Sequence, residues 1–494
     1  MEAVGFAAAD TSSKADAAIL LPSFLIGGTA LLLFLYITQR QRRKSIHQDP
    51  RIPKGSEGWP LIGETFAFGN ADPMRFALTR AKKYGSIFRS KILGTPSVIV
   101  TTSDAAKFVF GERNIFKASY PSTIATLVGK KSLTSCDPHR HPFLKRIVQG
   151  ALLPETLRQE VGRIENFVNE TLNSWGGKPI DLVKESRTFM LDVAMYFVFG
   201  ITNLRGTAEA KVLVDMYRAI GKGMYVLPIN LPGFTWYKAL KAREKGCAYL
   251  KTIIEKTREE SEKGFKQNTV LGAFVDCKDE NGENLLDDEI IDVLIGTLFG
   301  AHDTTANALT WMLKHLSEHH DVLETLVAEQ EEILKTKEPG QALTWEDYRR
   351  MHYTSQVISE SLRLPTVLQF IAREPREDVE FKGFLIPRGW RVYVMITCIH
   401  LDPSNYPNPL AFDPSRFQAP PKAGTFLPFA AGAHVCPGSE LARLVLSVFL
   451  HHLCTKFRWQ SLQPDMGVQF NPFPSPKGGF SILLERKPNS GVQM

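Results

Sequence analysis

Cysteine is scarce in this chain: six in 494 residues, at Cys136, Cys247, Cys277, Cys398, Cys436 and Cys454, with no Cys-x-x-Cys and no framework spacing. That excludes a disulfide scaffold or a zinc ribbon and suits a reducing compartment. Charge is thin as well, at 22% of residues against 44% apolar, and 59 Lys+Arg over 52 Asp+Glu leaves only +7. No clustered basic stripe accompanies that excess, so nucleic acid is not expected as a partner. No internal repeat, Gly/Ser linker or Pro-rich hinge cuts residues 65–370. One large domain is therefore expected despite a length that would allow two or three.

Long uncharged runs are missing too, except at the start. Ala17 to Tyr36 holds 20 residues without a charge. At about 1.5 Å per residue, a helix of that length crosses a hydrocarbon core of roughly 30 Å. Arg40, Arg42, Arg43 and Lys44 follow it, whereas the leading side is net negative. The basic side stays cytosolic, which puts the bulk of the chain there. A cleaved signal peptide would instead need a basic leading region, a shorter apolar stretch and small residues at its end. The expected organisation is a lumenal tail (1–16), a single transmembrane anchor (17–38) in a reticulum-type membrane, a basic and Pro/Gly-rich elbow (39–65) and a cytosolic body (66–494). Three prolines and three glycines within residues 50–63 rule out a regular helix there.

In the body, residues 86–101 read as a β-hairpin of β-branched runs around a turn. Apolar spacings of three and four predict helices over 156–173, 181–199, 236–260, 287–318, 321–335 and 345–363, with a loop at Pro228, Pro232 and Gly233. Short strands and Pro-rich irregular chain return over 374–430, before a last helix from about 438 to 456. The expected class is mainly α with small β-sheets at the flanks.

Three patterns carry chemistry. In Pro428-Phe429-Ala-Ala-Gly432-Ala-His434-Val-Cys436-Pro437-Gly438, a loop of small residues delivers a cysteine just before a helix, with Pro437 suited to the first helical position. Unpaired N–H groups at the helix start would lower the thiol pKa and favour thiolate; a small buried cysteine in a turn is the plainer alternative. Gly432 and Gly438 allow backbone to approach something bulky. Inside the 287–318 helix, Phe299-Gly300-Ala301-His302-Asp303-Thr304-Thr305 sets a carboxylate and hydroxyls among apolar neighbours, which is costly without a purpose. Glu360-Ser-Leu-Arg363 places opposite charges on one helical face, ahead of Phe412-Asp-Pro414-Ser-Arg416-Phe417.

Phe429-x-x-Gly432-x-His434-x-Cys436-x-Gly438 resembles the haem-binding signature of the cytochrome P450 family, with His434 where the family usually has Arg. The resemblance implies the P450 fold, haem b with Cys436 as the axial iron ligand, and Phe429 and Gly438 as part of the cradle. It gives Asp303 and Thr304 the catalytic task of supplying protons to dioxygen, and Glu360, Arg363 and Arg416 that of a buried structural triad. His141 and Lys145, or Arg146 beside it, together with Arg373 and His434, become candidates for the haem propionates. His139 and His141 could otherwise suggest zinc, but no further ligands lie near them in sequence.

The implied activity is monooxygenation with electrons from NADPH through a membrane-bound flavoprotein reductase. The residues around Tyr225 to Arg243, with Cys136 to Arg158 and Phe449 to Leu453, look like the plant branch that oxidises sterols, brassinosteroids, abscisic acid, gibberellin precursors and other terpenoids. The expected substrate is thus a lipophilic sterol or terpenoid, with pocket walls at Phe299, Ala301, Thr366 and Val367 carried over by position. Two other readings stand beside this one: a haem-thiolate isomerase or dehydratase that needs no external electrons, and a haem-binding membrane protein without turnover.

Overall fold

The computed structural model describes residues 49–488, apart from 70–71, 112–114, 203–207, 365–366, 464–466 and 471–472. The anchor and lumenal tail lie outside the described residues, as does Thr366. Among the described residues, no helix is long and apolar enough to cross a membrane.

Helices dominate, and the helix Asp287–Glu318 runs through the middle of the largest core cluster. It packs most extensively on Leu182–Phe199. Apolar residues on nearly all sides of both explain this: Ile290, Leu294, Leu298, Leu309 and Leu313 of the first are inaccessible to solvent, as are Leu182, Val193 and Met195 of the second. Asp181 caps the second helix through the Val183 N–H, and Gly200 closes it in the left-handed conformation.

The hairpin is present as Ile87–Ile92 and Thr95–Val100, paired in register from Ile87↔Val100 to Ile92↔Thr95. Its second strand pairs in parallel with Arg391–Val394, Ser97 opposite Arg391. Ile371–Pro375 and then Phe116–Ala118 complete a five-stranded sheet. The elbow is tied to this sheet, since Arg89 and Lys91 exchange backbone hydrogen bonds with Lys54, Ser56 and Glu64. Gly63 has φ +68°, and a Cβ there would stand 2.1 Å from the Lys91 carbonyl oxygen, so the elbow can lie this close only with glycine.

Two helical expectations need correction. The segment 345–363 is two helices, Trp345–Arg350 and His352–Arg363, broken at Met351. The break is held from another helix: the Glu329 carboxylate accepts the N–H groups of Tyr353 (2.6 Å) and Thr354 (2.9 Å), capping the new start. A helix at Ala208–Gly223 was not expected at all. Its buried Leu213, Met216, Tyr217 and Ile220 do carry the three and four spacing that signals one.

Candidate active site

The cysteine loop is held before the last long helix, Ser439–Lys456. Gly438 is the N-cap, so Pro437 lies outside the first helical position expected of it. The Cys436 N–H donates to the Phe429 carbonyl (2.9 Å), folding the loop back on itself. Gly432, at φ +69°, would drive a Cβ to within 1.9 Å of the Phe110 carbonyl oxygen; glycine lets the loop sit directly on the backbone of the helix Ser103–Gly111. The Arg443 guanidinium lies 5.3 Å from the Phe429 ring centroid.

Burial pushes the Cys436 thiol up, and the Gly438 backbone and the Lys145 charge pull it back only in part. The Gly438 backbone at the helix start thus acts in the direction the sequence suggests, against the larger effect of burial. A ligated metal cation would make the thiolate, because coordination deprotonates a thiol outright.

Around this loop the structure gathers four of the sequence candidates. His141, at the start of the helix His141–Ala151, has Nε2 3.1 Å from Nδ1 of His434. Lys145, one turn on, donates to the Ala433 carbonyl (2.8 Å). Arg373 comes from the strand Ile371–Pro375, is 4% exposed, and donates to the Ala372 carbonyl (3.0 Å). Among the described residues no carboxylate pairs with it. Burial first, then Lys145 and Arg373, pushes His141 down to about 4. Burial, then Arg373, His141 and Lys145, pushes His434 down to about 3. Without an anion beside them, both imidazoles are thus held towards the neutral form. Lys145 and Arg373 stand beside them as cationic side chains.

A cavity of about 430 Å³ lies beside this cluster, lined by His141 and His434 together with Lys117, Arg391, Asp137 and Glu374 among others. A buried guanidinium with no anion of its own, beside a lysine, two imidazole hydrogen-bonding groups and a cysteine, fits an acidic metalloporphyrin. Thiolate would meet iron, and the cations would meet the propionates.

On the long helix, Asp303 and Thr304 are neighbours that do not touch. The Thr304 hydroxyl donates to the Gly300 carbonyl (2.6 Å). Adjacent helical residues point about 100° apart, so the acid turns elsewhere. Asp303 accepts a hydrogen bond from the Tyr217 hydroxyl (2.9 Å) and lies 3.3 Å from both Arg187 Nε and His302 Nδ1. Burial pushes its carboxyl up, but His302, Arg187 and Tyr217 together outweigh burial and hold it below the usual range. Phe299 stacks on Tyr217 at 4.4 Å and 25°, Ala301 is half-buried, and Val367 is buried. Tyr217 and Arg187 are the functional neighbours that sequence reasoning missed. The periodicity of 213–220 would have revealed the first, whereas nothing in sequence couples Arg187 to a residue so far along the chain.

Glu360 and Arg363 are fully buried and form a two-bond pair, Nε to Oε2 and Nη2 to Oε1, each 2.7 Å. Arg416 Nε stands 3.4 Å from Glu360 Oε1, and the Asp413 N–H donates to the same oxygen (2.9 Å). Arg363 also reaches the carbonyls of His400, Pro409 and Ala411.

The cytochrome P450 family model matches residues 53–490. Abscisic acid 8'-hydroxylase 1 of Arabidopsis thaliana is 39% identical over 469 residues, which is 95% of this chain and 98% of the relative. Abscisic acid 8'-hydroxylase 1 of Oryza sativa subsp. japonica is 42% identical over 439 residues, 88% of this chain and 91% of the relative. Among solved structures, retinoic acid bound cyanobacterial CYP120A1 superposes with a TM-score of 0.78 at 29% identity, covering 88% of this chain and 99% of that one. With the cysteine loop, the cationic cradle and a full-length match in agreement, the chain belongs to the cytochrome P450 family, and is an oxidoreductase that inserts one atom of dioxygen using haem b and electrons from NADPH through a reductase.

Proposed function

We propose that this protein hydroxylates abscisic acid or a closely similar terpenoid carboxylic acid, converting a C–H bond and dioxygen into an alcohol and water with two electrons from NADPH. The observation that carries the reading is the match to abscisic acid 8'-hydroxylase 1 across 95% of the chain and 98% of the relative. The solved neighbour holds another isoprenoid acid, retinoic acid, which supports the same substrate class. The sterol and brassinosteroid half of the sequence expectation finds no support in these relatives. They are named hydroxylases, which disfavours the isomerase and the non-catalytic readings.

Haem bound through a thiolate supplies the activation of dioxygen that side chains cannot perform. Cys436 would hold the iron; Arg373 and Lys145 would meet the propionates with charge, while His141 and His434 would meet them as hydrogen-bonding groups. Phe429 and Gly438 hold the loop that presents the sulfur. Asp303 would deliver protons through water and Thr304 would keep that water in place, a positioned acid with a hydroxyl. Phe299, Ala301, Thr366 and Val367 would line the substrate pocket. Glu360, Arg363 and Arg416 would hold the chain behind the haem.

The chain is further proposed to be anchored by residues 17–38 in the endoplasmic reticulum membrane, with 1–16 lumenal, 39–65 as elbow and 66–494 as the cytosolic catalytic domain. Trp59, Leu61 and Phe66, 74%, 71% and 65% exposed just after the basic stretch, support a membrane surface close to the elbow. Reconstitution with a plant reductase and NADPH, followed by mass analysis, tests the substrate. Hydroxylated abscisic acid is expected; turnover of sterols with abscisic acid left intact would overturn the reading.

A further inference from the structure

Next to Asp303 the long helix carries a network that the family reading does not use. His302 is 4% exposed, and both of its ring nitrogens are engaged. Nε2 lies 2.7 Å from the Arg187 carbonyl oxygen, and since a carbonyl only accepts, Nε2 carries a hydrogen. Nδ1 is hydrogen-bonded to the Tyr217 hydroxyl and also lies 3.3 Å from Asp303 Oδ1, while the hydroxyl stands 2.9 Å from Asp303 Oδ2. The Tyr217 ring is fixed from two sides: Phe299 stacks on it, and His302 meets it edge-on at 4.8 Å and 80°. Arg187, whose side chain is 45% exposed, links the other carboxylate oxygen to solvent. Tyr225 also lies within the field of Asp303.

Counting hydrogens shows what this line of atoms requires. Tyr217 has one hydroxyl hydrogen. If the imidazole is neutral, with its hydrogen on Nε2, then Nδ1 accepts, and an ionised Asp303 accepts as well. The hydroxyl can satisfy only one of them, and the other contact sets two lone pairs face to face inside the protein, a costly arrangement. One additional proton completes every bond. On His302 it gives imidazolium, tyrosine hydroxyl and carboxylate in series; on Asp303 it gives imidazole, hydroxyl and carboxylic acid.

We propose that His302 and Tyr217 form a buried proton store for Asp303: the imidazolium holds one proton and passes it to the carboxylate through the tyrosine hydroxyl. In the transfer, His302 Nδ1–H breaks as the hydrogen joins the Tyr217 oxygen, while Tyr217 O–H breaks as its hydrogen joins Asp303 Oδ2. One positive and one negative charge vanish together, so the net charge of the cluster is unchanged. Nothing is oxidised or reduced. Asp303 then gives the proton up through water, and the store reloads from solvent by way of the same carboxylate beside the exposed Arg187. Reducing dioxygen to one water and one alcohol oxygen consumes two protons per turnover, and the store supplies one of them without waiting on solvent. His302 and Tyr217 are positioning residues here, acting only through Asp303. The inference thus rests on Asp303 being the proton-delivering acid.

The test uses the haem-loaded, carbon monoxide-bound reduced protein labelled with ¹⁵N-histidine, with the His302 signals assigned by their loss in His302→Gln. Two protonated ring nitrogens are expected in the unsubstituted protein at neutral pH. A neutral ring in the unsubstituted protein would overturn the store. In turnover, Tyr217→Phe and His302→Gln should lose about 10- to 100-fold in product per NADPH consumed, at or below the contribution of a full general acid. The solvent isotope effect on hydroxylation should rise in both. If both couple normally while Asp303→Asn does not, the store is wrong and the Asp303 reading stands. If Asp303→Asn itself couples normally, the Asp303 reading fails and the store falls with it.

Discussion

Removing the Arg363 guanidinium tests whether the buried charge cluster is an ion pair or a backbone anchor. Arg363→Met leaves Glu360, which is inaccessible to solvent, with Arg416 at 3.4 Å and the Asp413 N–H as its partners among the described residues. Breaking a buried pair from one side costs about 3–5 kcal/mol. That is a large share of the roughly 5–15 kcal/mol that holds a folded domain together. If the pair mattered only as a pair, Glu360→Leu with Arg363→Met would restore stability, since an apolar replacement of similar volume is often neutral. Here it should not. Arg363 serves the carbonyls of His400, Pro409 and Ala411, and Glu360 serves the Asp413 N–H. Four backbone groups at about 1 kcal/mol or more each keep the double variant about 4 kcal/mol short. Urea titration followed by tryptophan fluorescence and haem absorbance reads this as a lowered first midpoint in both variants. A double variant that unfolds at the unsubstituted midpoint would refute the anchoring of residues 400–413 through Arg363.

Three further outcomes are expected. Cys436→Ser should abolish the thiolate-type carbonyl spectrum of the reduced protein, and an unchanged spectrum would remove Cys436 as the iron ligand. Thr304→Ala should divert electrons from NADPH to peroxide, typically costing 10²-fold or more in product per electron pair; peroxide assay against product yield checks it. His141 and His434, depressed to about 4 and about 3, bind fewer protons folded than unfolded below their ordinary value of 6.5. Stability of the haem-free protein should therefore be full above pH 7 and fall as pH drops from 6.5 towards 4. Equal urea midpoints at pH 7.5 and pH 5 would contradict that sign.

Where a feature follows from neighbours in sequence, its place in the fold was readable. The cysteine loop, the half-buried acid in the long helix and the Glu360/Arg363 pair each sit within ten residues, and the hairpin and most helices follow their period. What escaped were contacts between distant segments. Glu329 splitting a helix at Met351, Arg187 and Tyr217 closing on Asp303, and His434 meeting His141 all depend on packing that periodicity does not encode. The burial of the Cys436 thiol is likewise tertiary, whereas the helix start beside it is a local feature.

The parallel pairing of Ser97–Val100 with Arg391–Val394 has a consequence for how the protein is made. An early hairpin must wait, its inner edge uncovered, until the ribosome has produced nearly four-fifths of the polypeptide. Arg373 is delivered by a strand of that same sheet, so the cationic cradle cannot close before then. Porphyrin capture is thus a late event in biosynthesis, and the nascent chain spends its long synthesis with a sticky strand edge that chaperones must shield.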